Sequence, residues 1–208
     1  MTLLWDWNGT LLDDTAAASG ALNAILGRRS LPPVSLEEYR ATFSFPARNY
    51  YERAGLDLAN EDWGALALEY HEAYLSLPKR LARDAEAAVS MARSAGFRQY
   101  VLSAMKQELL ASETAKYGAG MEFDGIWGTD NLDGGSKLDT ARRLAASLPR
   151  GERAVVVGDA LHDLEAARAI GAKCILYTGG SHLRDRLAGF APLADSLVEA
   201  VETARGLW

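Results

Sequence analysis

Four short segments of almost continuous hydrophobic residues constrain the fold of this chain more than any other feature. Alternating polar and apolar residues would indicate strands with one solvent-exposed face, whereas continuous runs indicate strands that are buried on both faces. Such strands are typical of a parallel sheet that is covered by helices. The segments are TLLWDW (2–7), RQYVLSA (98–104), RAVVVGD (153–159) and KCILYTG (173–179), with a shorter candidate in FDGIWG (123–128).

Helical patterns separate these strands from about residue 84 onward. Helices are predicted at 84–96, 137–149 and 162–171, and each of them ends at a glycine or a proline. Strands that alternate with helices indicate βαβ units. The sequence therefore predicts an α/β protein with a Rossmann-like three-layer core and a mostly parallel sheet.

The first two strong strands lie about 90 residues apart, whereas a crossover connection needs a few tens of residues at most. The interval has helical patterns almost throughout, with predicted N-caps at Ser35, in a capping box, and at Asn60. We therefore predict a small helical cap at 15–82, inserted after the first strand. The core would consist of 1–14 and 83–208.

Composition limits the partners and the location of the protein. The net charge is −6 and no block of Lys and Arg stands out, which argues against a nucleic-acid surface. No stretch approaches the roughly 18 apolar residues of a membrane span. Cys174 is the only cysteine, so an intramolecular disulfide is excluded. We expect a cytoplasmic protein without membrane or nucleic-acid partners, and the sequence does not indicate its oligomeric state.

Side chains that can carry out chemistry follow several of the predicted strands. Asp6, Ser103 and Asp159 lie at or near strand ends, and Lys137 and Asp163 fall in the first turns of helices. In a parallel α/β sheet these positions meet at one edge. Each residue alone has an ordinary interpretation, such as a helix cap or a solvated lysine. Their common placement favours a single site.

These residues lie in four motifs that resemble those of the haloacid dehalogenase-like hydrolases, in particular their Mg²⁺-dependent phosphatases with a helical cap. The third motif is the weakest, because Leu138 stands where a proline often follows the lysine. The resemblance covers nearly the whole chain, and the overall pattern is similar to phosphoglycolate phosphatase-like members. The four motifs are DWNGTLLDD (6–14, for D-x-D-G-T-L), YVLSA (100–104), GGSKLD (134–139) and VVVGDALHD (155–163, for G-D-x-x-x-D).

The resemblance implies a nucleophile and a metal site. Asp6 would attack phosphorus and form an aspartyl-phosphate, which splits one difficult displacement into two easier ones. A divalent cation would screen the repulsion between this carboxylate and the phosphate. Mg²⁺ would be held by Asp6, the backbone carbonyl of Asn8, Asp159 and Asp163, the last directly or through water.

The resemblance also implies a phosphoryl-binding group of residues. Ser103 and Lys137 would hold the phosphoryl oxygens, and backbone N–H groups after Ser103 would add anion stabilisation. Gly9, Thr10 and Ala104 would lie beside the substrate. The expected substrate is a small phosphorylated metabolite, for example a phosphoglycolate-like compound.

Asn8 stands where the family has the second aspartate of the first motif, which serves as general acid and then as general base. An amide cannot exchange a proton near neutral pH, so alkyl phosphates should lose the roughly 10²–10⁴-fold that such catalysis contributes. Aryl and acyl phosphates have better leaving groups and should lose less.

Three possibilities stay open for the function. Another group replaces the acid, with His162 as the main candidate and Asp13 or Asp14 as less plausible ones. Alternatively, the protein is a slow phosphatase or a regulator that binds phosphoryl ligands. The third possibility, a dehalogenase, is disfavoured because the fourth motif supplies metal-binding carboxylates that carbon–halogen displacement does not need.

The helical cap is expected to cover the site and to select the substrate. In the segment FSFPARNYYERAG, Arg48 and either Tyr50 or Tyr51 are the predicted substrate contacts. The alternative is that Tyr51 packs with Phe43 and Phe45 inside the cap while Arg48 is solvated.

Overall fold

The computed structural model describes residues 1–132 and 136–207. None of the helices in these ranges is long and apolar enough to cross a membrane. The strands are β1 (Thr2–Trp5), β2 (Leu12–Asp13), β3 (Arg80–Leu81), β4 (Arg98–Lys106), β5 (Gly125–Thr129), β6 (Ala154–Gly158), β7 (Lys173–Tyr177) and β8 (Leu193–Ala194). The helices are α1 (Thr15–Arg28), α2 (Leu36–Thr42), α3 (Ala47–Arg53), α4 (Trp63–Ser76), α5 (Ala85–Ser94), α6 (Gln107–Tyr117), α7 (Leu138–Ser147), α8 (Leu161–Ala169), α9 (Arg184–Leu187) and α10 (Leu197–Gly206).

The main sheet has six strands in the order β5-β4-β1-β6-β7-β8, and every neighbouring pair is parallel. β1 lies inside the sheet, because Thr2 is aligned with Arg98 of β4 on one side and with Ala154 of β6 on the other. The predicted α/β fold with a parallel sheet is confirmed. The short strand β8 was not predicted.

Alternate residues of the central strands pack against helices on opposite faces of the sheet. Leu3 and Trp5 contribute to one apolar cluster, together with residues of α5 and α10. Leu4 lies in the other cluster, together with residues of α7 and α8. These strands are therefore buried on both faces, which explains their continuous apolar sequences and gives the three-layer core.

Helices α1 to α4 form the segment between the first two long strands, and we call them the cap. They share an apolar cluster of their own, built from aliphatic residues of α1 and aromatic residues of α2 and α3. The antiparallel pair β2/β3 connects the cap to the core, with Leu12 aligned with Leu81 and Asp13 with Arg80. The division into 1–14, 15–82 and 83–208 follows these connections and stays a proposal.

Two N-caps were predicted inside the cap. The Ser35 side chain accepts a hydrogen bond from the Glu38 N–H at 3.1 Å, which confirms the first. The prediction for Asn60 is wrong, because Asp62 caps α4 by accepting from the Ala65 N–H at 3.0 Å. The Asn60 amide instead donates to the Asp57 carboxylate.

Candidate active site

The carboxyl ends of β1, β4 and β6 carry the polar side chains of one site. Asp6 follows β1 directly, and its N–H donates to the Val157 carbonyl of β6 at 2.8 Å. This bond continues the β1–β6 pairing and brings Asp6 beside Asp159, which follows β6. Ser103 comes from β4, the neighbour of β1 on the other side. The parallel topology thus gathers residues that are far apart in sequence.

Three buried carboxylates form the centre of this site. One oxygen each of Asp6, Asp159 and Asp163 lies within 4.8 Å of the other two. Burial raises the pKa of Asp6 well above its ordinary value, against the lowering effect of the nearby Lys137 charge. Burial and the negative charge of Asp163 also raise the pKa of Asp159, to about 6. A positively charged group or ion bound between the three carboxylates would therefore stabilise their ionised forms.

Lys137 supplies part of that charge. Its Nζ lies 2.5 Å from the Asp6 Oδ1, forms an ion pair with Asp163 and donates to the Leu102 carbonyl at 3.3 Å. Burial by itself would lower the pKa of Lys137, but the charges of Asp163 and Asp6 raise it above its ordinary value. Three carboxylates and one ammonium carry a formal charge of −2 together. The atoms of this group that could ligate a metal are carboxylate oxygens. This set fits a hard divalent cation.

Thr10 and Ser181 hold Asp159 in place. The Thr10 hydroxyl lies 3.1 Å from the Asp159 Oδ1 and 3.3 Å from the Asp6 Oδ2. The Ser181 N–H and hydroxyl both donate to the Asp159 Oδ2, at 2.5 Å each. Thr10 was predicted to lie beside the substrate, but it is fully buried beneath the carboxylates and is not part of the cavity lining. It is therefore a positioning residue.

Sequence reasoning did not identify Ser181 as part of the site. The signal available was its position in the Gly179-Gly180-Ser181 loop that follows β7. Gly180 has to be glycine, since a Cβ there would lie 2.2 Å from the Gly9 carbonyl oxygen and 2.3 Å from the Asp159 Cβ. The loop can approach the first motif this closely only because the side chain is absent.

Asn8 lies at the centre of a hydrogen-bonded network rather than free in the cavity. Its Oδ1 accepts from the Ser103 hydroxyl at 3.2 Å. Its Nδ2 donates to the Asp14 Oδ2 at 2.7 Å and to the Tyr74 hydroxyl oxygen at 2.9 Å. The Tyr74 hydroxyl in turn donates to Asp14 at 2.5 Å. The amide therefore has partners for both of its hydrogens and for its oxygen.

Asp14 contacts the first motif through both of its oxygens. The Oδ1 accepts from the Gly9 N–H at 2.7 Å, while the Oδ2 accepts from Asn8 and Tyr74. Burial raises the pKa of Asp14, and the hydrogen bonds from these three residues offset only part of the increase. Asp14 also precedes α1, but its side chain makes no capping hydrogen bond.

The other two candidates for the missing acid are differently placed. Asp13 is exposed, and its carboxylate pairs with Arg80 at 3.0 Å on the β2/β3 connection. The ring of His162 stacks on Phe45 with 4.6 Å between centroids, and its Nε2 accepts from the Lys137 N–H at 3.3 Å. Burial and the Lys137 charge lower the pKa of His162 to about 4. The neutral form therefore dominates at pH 7, and a neutral imidazole is a poor general acid for a leaving group.

A cavity of about 150 Å³ lies between this site and the cap. The core side of its lining includes the candidate residues Asp6, Asn8, Gly9, Ser103, Ala104, Lys137, Asp159 and Asp163. The cap side is largely aromatic.

The predicted substrate contacts Arg48 and Tyr50 do not reach this cavity. Arg48 is exposed, with its guanidinium over the Trp63 ring at 5.6 Å from the centroid. Tyr50 is buried within the cap against Tyr39 and Phe43. The alternative tyrosine, Tyr51, does line the cavity. Adjacent helical residues point about 100° apart, so the two tyrosines lie on different faces of α3.

Comparison with known proteins identifies similar sequences and folds. A model of the haloacid dehalogenase-like hydrolase family matches residues 1–171. Phosphoglycolate phosphatase of Caulobacter vibrioides is 29% identical over 86% of this chain and 79% of its own. Phosphoglycolate phosphatase 1 of Pseudomonas aeruginosa is 26% identical over 96% and 81%. The crystal structure of a predicted phosphatase from Clostridium acetobutylicum superimposes with a TM-score of 0.78 at 21% identity, covering 99% of this chain and 98% of that one.

Proposed function

The chain belongs to the haloacid dehalogenase-like hydrolases, and we propose that it is a Mg²⁺-dependent phosphatase that hydrolyses a small phosphorylated metabolite through Asp6. The observation that carries this proposal is the Lys137 ammonium 2.5 Å from the Asp6 carboxylate, with Asp159 and Asp163 beside them at one sheet edge. Similarity to phosphoglycolate phosphatases supports the phosphatase activity. The cytoplasmic location and the absence of nucleic-acid and membrane partners stay predictions.

The proposed reaction has two steps at Asp6. In the first, an Asp6 oxygen forms a bond to phosphorus while the bond from phosphorus to the leaving-group oxygen breaks. In the second, water attacks the aspartyl-phosphate, which releases inorganic phosphate and restores the carboxylate. Ser103 and Lys137 stabilise the phosphoryl oxygens in both steps, because preorganised donors act most strongly in a buried site.

Asp6, Asp159, Asp163 and the backbone carbonyl of Asn8 would hold the Mg²⁺ ion. The bound ion would screen the repulsion between the nucleophile and the phosphoryl group. Thr10 and Ser181 support this arrangement, since their hydrogen bonds fix the orientation of Asp159. Asn8 offers no exchangeable proton in either step.

The decisive experiment measures phosphate release from p-nitrophenyl phosphate and acetyl phosphate by wild type, Asp6→Asn and Asp13→Asn. We expect Mg²⁺-dependent turnover in wild type, its loss in Asp6→Asn by at least about 10²-fold, and no change in Asp13→Asn. Asp13 is the matched control, because it lies in the same motif as Asp6 but its carboxylate is exposed and pairs with Arg80 of β3. Turnover that survives Asp6→Asn would contradict the mechanism.

A phosphoryl-binding regulator is the second candidate, and the neutral amide of Asn8 favours it. Without an acid–base residue, the aspartyl-phosphate would break down slowly and could persist. Wild-type protein that shows no turnover but retains one covalent phosphate per chain by intact mass would select this function. Halide release from 2-haloacids in the presence of EDTA would instead indicate the dehalogenase.

A further inference from the structure

The cap side of the cavity is built from aromatic rings. Phe45 stacks on His162 at the rim of the catalytic site, and Tyr70 stacks on Tyr74 with 6.0 Å between centroids. The cap residues that line the cavity with aromatic rings include Tyr39, Phe43, Phe45, Tyr51, Trp63 and Tyr70. Aromatic rings pack favourably against other rings and against apolar groups. This wall matches a flat apolar group on the substrate.

Charged groups of the cap are directed elsewhere. Among the described residues that line the cavity, the cap contributes no arginine or lysine. Arg29 pairs with Glu61 and Glu69, and the Arg40 side chain donates to the Thr178 carbonyl. His71 does reach the lining, but burial lowers its pKa, which favours the neutral form.

Among the described lining residues of the core, Lys106 is the cation outside the carboxylate cluster. Its side chain is half-buried, at 36% exposed, and already pairs with Glu108 at 3.3 Å. A substrate carboxylate under the cap would therefore lose its hydration without gaining a fully buried cationic partner from the described lining residues outside the carboxylate cluster. That transfer is costly. The cavity disfavours a substrate such as phosphoglycolate, in which a carboxylate lies beside the phosphate.

The size of the cavity limits the leaving group to at most one ring, because the phosphoryl group at Asp6 occupies part of the same space. An apolar cavity of about 150 Å³ holds a benzene molecule, and this cavity has the same volume. A nucleotide or a phosphopeptide exceeds that space while the cap is in the position observed here.

The chemistry of Asn8 selects the same class of leaving group for an independent reason. A site without a general acid has to expel the leaving group as an anion. A phenol has a pKa of about 10, as in tyrosine, whereas an aliphatic alcohol is a far weaker acid, with a pKa close to that of water. The phenolate therefore leaves without assistance far more readily than an alkoxide.

We propose, on the premise of the phosphatase activity above, that the substrate is a small aryl phosphate monoester whose ring packs against the cap. The bond from Asp6 to phosphorus forms as the bond from phosphorus to the aryl oxygen breaks, and the electron pair leaves on the phenolate. The phenolate takes a proton from solvent, and water then hydrolyses the aspartyl-phosphate. The net reaction converts the aryl phosphate and one water into the phenol and inorganic phosphate.

The test compares phenyl phosphate, benzyl phosphate and 2-phosphoglycolate as substrates of the wild-type enzyme with Mg²⁺. Benzyl phosphate keeps the ring but has an alkoxide leaving group, so it separates ring binding from leaving-group chemistry. We expect kcat/KM for phenyl phosphate to exceed that for 2-phosphoglycolate by about 10²-fold or more. Benzyl phosphate should bind with similar affinity, measured as its competitive inhibition of phenyl phosphate hydrolysis, but have a much lower kcat/KM.

Two results would overturn the proposal, and they are distinguishable. Hydrolysis of 2-phosphoglycolate as fast as that of phenyl phosphate would refute the aryl preference while leaving the phosphatase function intact, provided that Asp6→Asn abolishes it. Lack of turnover with all substrates, acetyl phosphate included, would refute both.

A cap variant tests whether the ring is recognised directly. Phe45→Leu should lower the ratio of kcat/KM for phenyl phosphate to that for acetyl phosphate by roughly three- to tenfold, because acetyl phosphate has no ring to lose. Phe190→Leu is the matched control, since Phe190 is 51% exposed and lies outside the cavity lining. Circular dichroism checks that both variants are folded. An unchanged ratio in folded Phe45→Leu would contradict the proposed contact.

Discussion

At the scale of single residues, Asn8 sets the chemical limits of the site. Its amide is held by Ser103, Asp14 and Tyr74, so it cannot rotate without breaking several hydrogen bonds. The sequence alone showed that an acid–base group is missing at this position. It could not show that the buried carboxylate of Asp14 lies 2.7 Å from the amide nitrogen.

That distance leads to a prediction for Asn8→Asp. Two carboxyl groups this close in a buried site cannot both be ionised, so the pair with Asp14 would retain a proton near neutral pH. This proton would be available to the leaving group. We expect kcat for benzyl phosphate to rise by about 10²-fold, with a much smaller gain for phenyl phosphate, as measured by steady-state kinetics.

The double variant Asn8→Asp with Asp14→Asn separates this effect from a general change in the site. It retains the new carboxyl group but removes its charged neighbour, so the new acid should ionise at lower pH and most of the gain should disappear. An unchanged kcat for benzyl phosphate in folded Asn8→Asp would contradict the proposed role of position 8.

At the scale of secondary structure elements, long patterns were predictable and short ones were not. The buried strands β1, β4, β6 and β7 have continuous apolar runs that a sheet buried on both faces requires. Strands β2, β3 and β8 have two residues each, too few to show any periodicity. Yet β2 and β3 join the cap to the core. Their pairing is visible only once both connections are brought together in space.

Helix α4 provides a further link between cap and core through the Tyr74 hydroxyl. We predict that Tyr74→Phe lowers the free energy of unfolding by roughly 1–3 kcal/mol, because the buried Asp14 carboxylate loses a donor while the ring packing is retained. Urea unfolding measures the change.

The control is Tyr100→Phe, which removes the hydroxyl of a half-buried tyrosine in β4. Its effect should be smaller, since Tyr100 is not among the partners of Asp14. Equal stabilities of the two variants would show that the bond from α4 contributes nothing to the cap–core contact.

At the scale of the whole molecule, the order of the four motifs predicted which residues would meet, because parallel strands bring their carboxyl ends to one edge. The cavity under the cap was harder to predict. Helical periodicity shows that Tyr50 and Tyr51 are candidates for burial, but it does not say which of them faces the core. The cap helices pack against one another and also cover the core. Only the assembled fold shows which side chains belong to the interior of the cap and which line the cavity.

The assembled site also couples metal binding to global stability. Asp6, Asp159 and Asp163 repel one another, and the charge of Lys137 offsets only one of the three. An ion that binds the native state alone stabilises it by RT ln(1 + [L]/Kd), about 2.7 kcal/mol at a hundredfold excess over Kd. We therefore predict that Mg²⁺ raises the Tm of the wild-type protein, as measured by calorimetry with and without EDTA.

Asp159→Asn should separate repulsion from metal binding in that experiment. Without Mg²⁺ its Tm should equal or exceed that of wild type, since one of the repelling charges is removed while an oxygen is retained for Ser181. With Mg²⁺ its Tm should barely change, because one of the three carboxylate ligands is lost. Asp13→Asn, which removes an exposed carboxylate, should keep the full shift. If Asp159→Asn showed the wild-type response to Mg²⁺, the ion would have to bind away from the three carboxylates, and the proposed mechanism would lose its metal site.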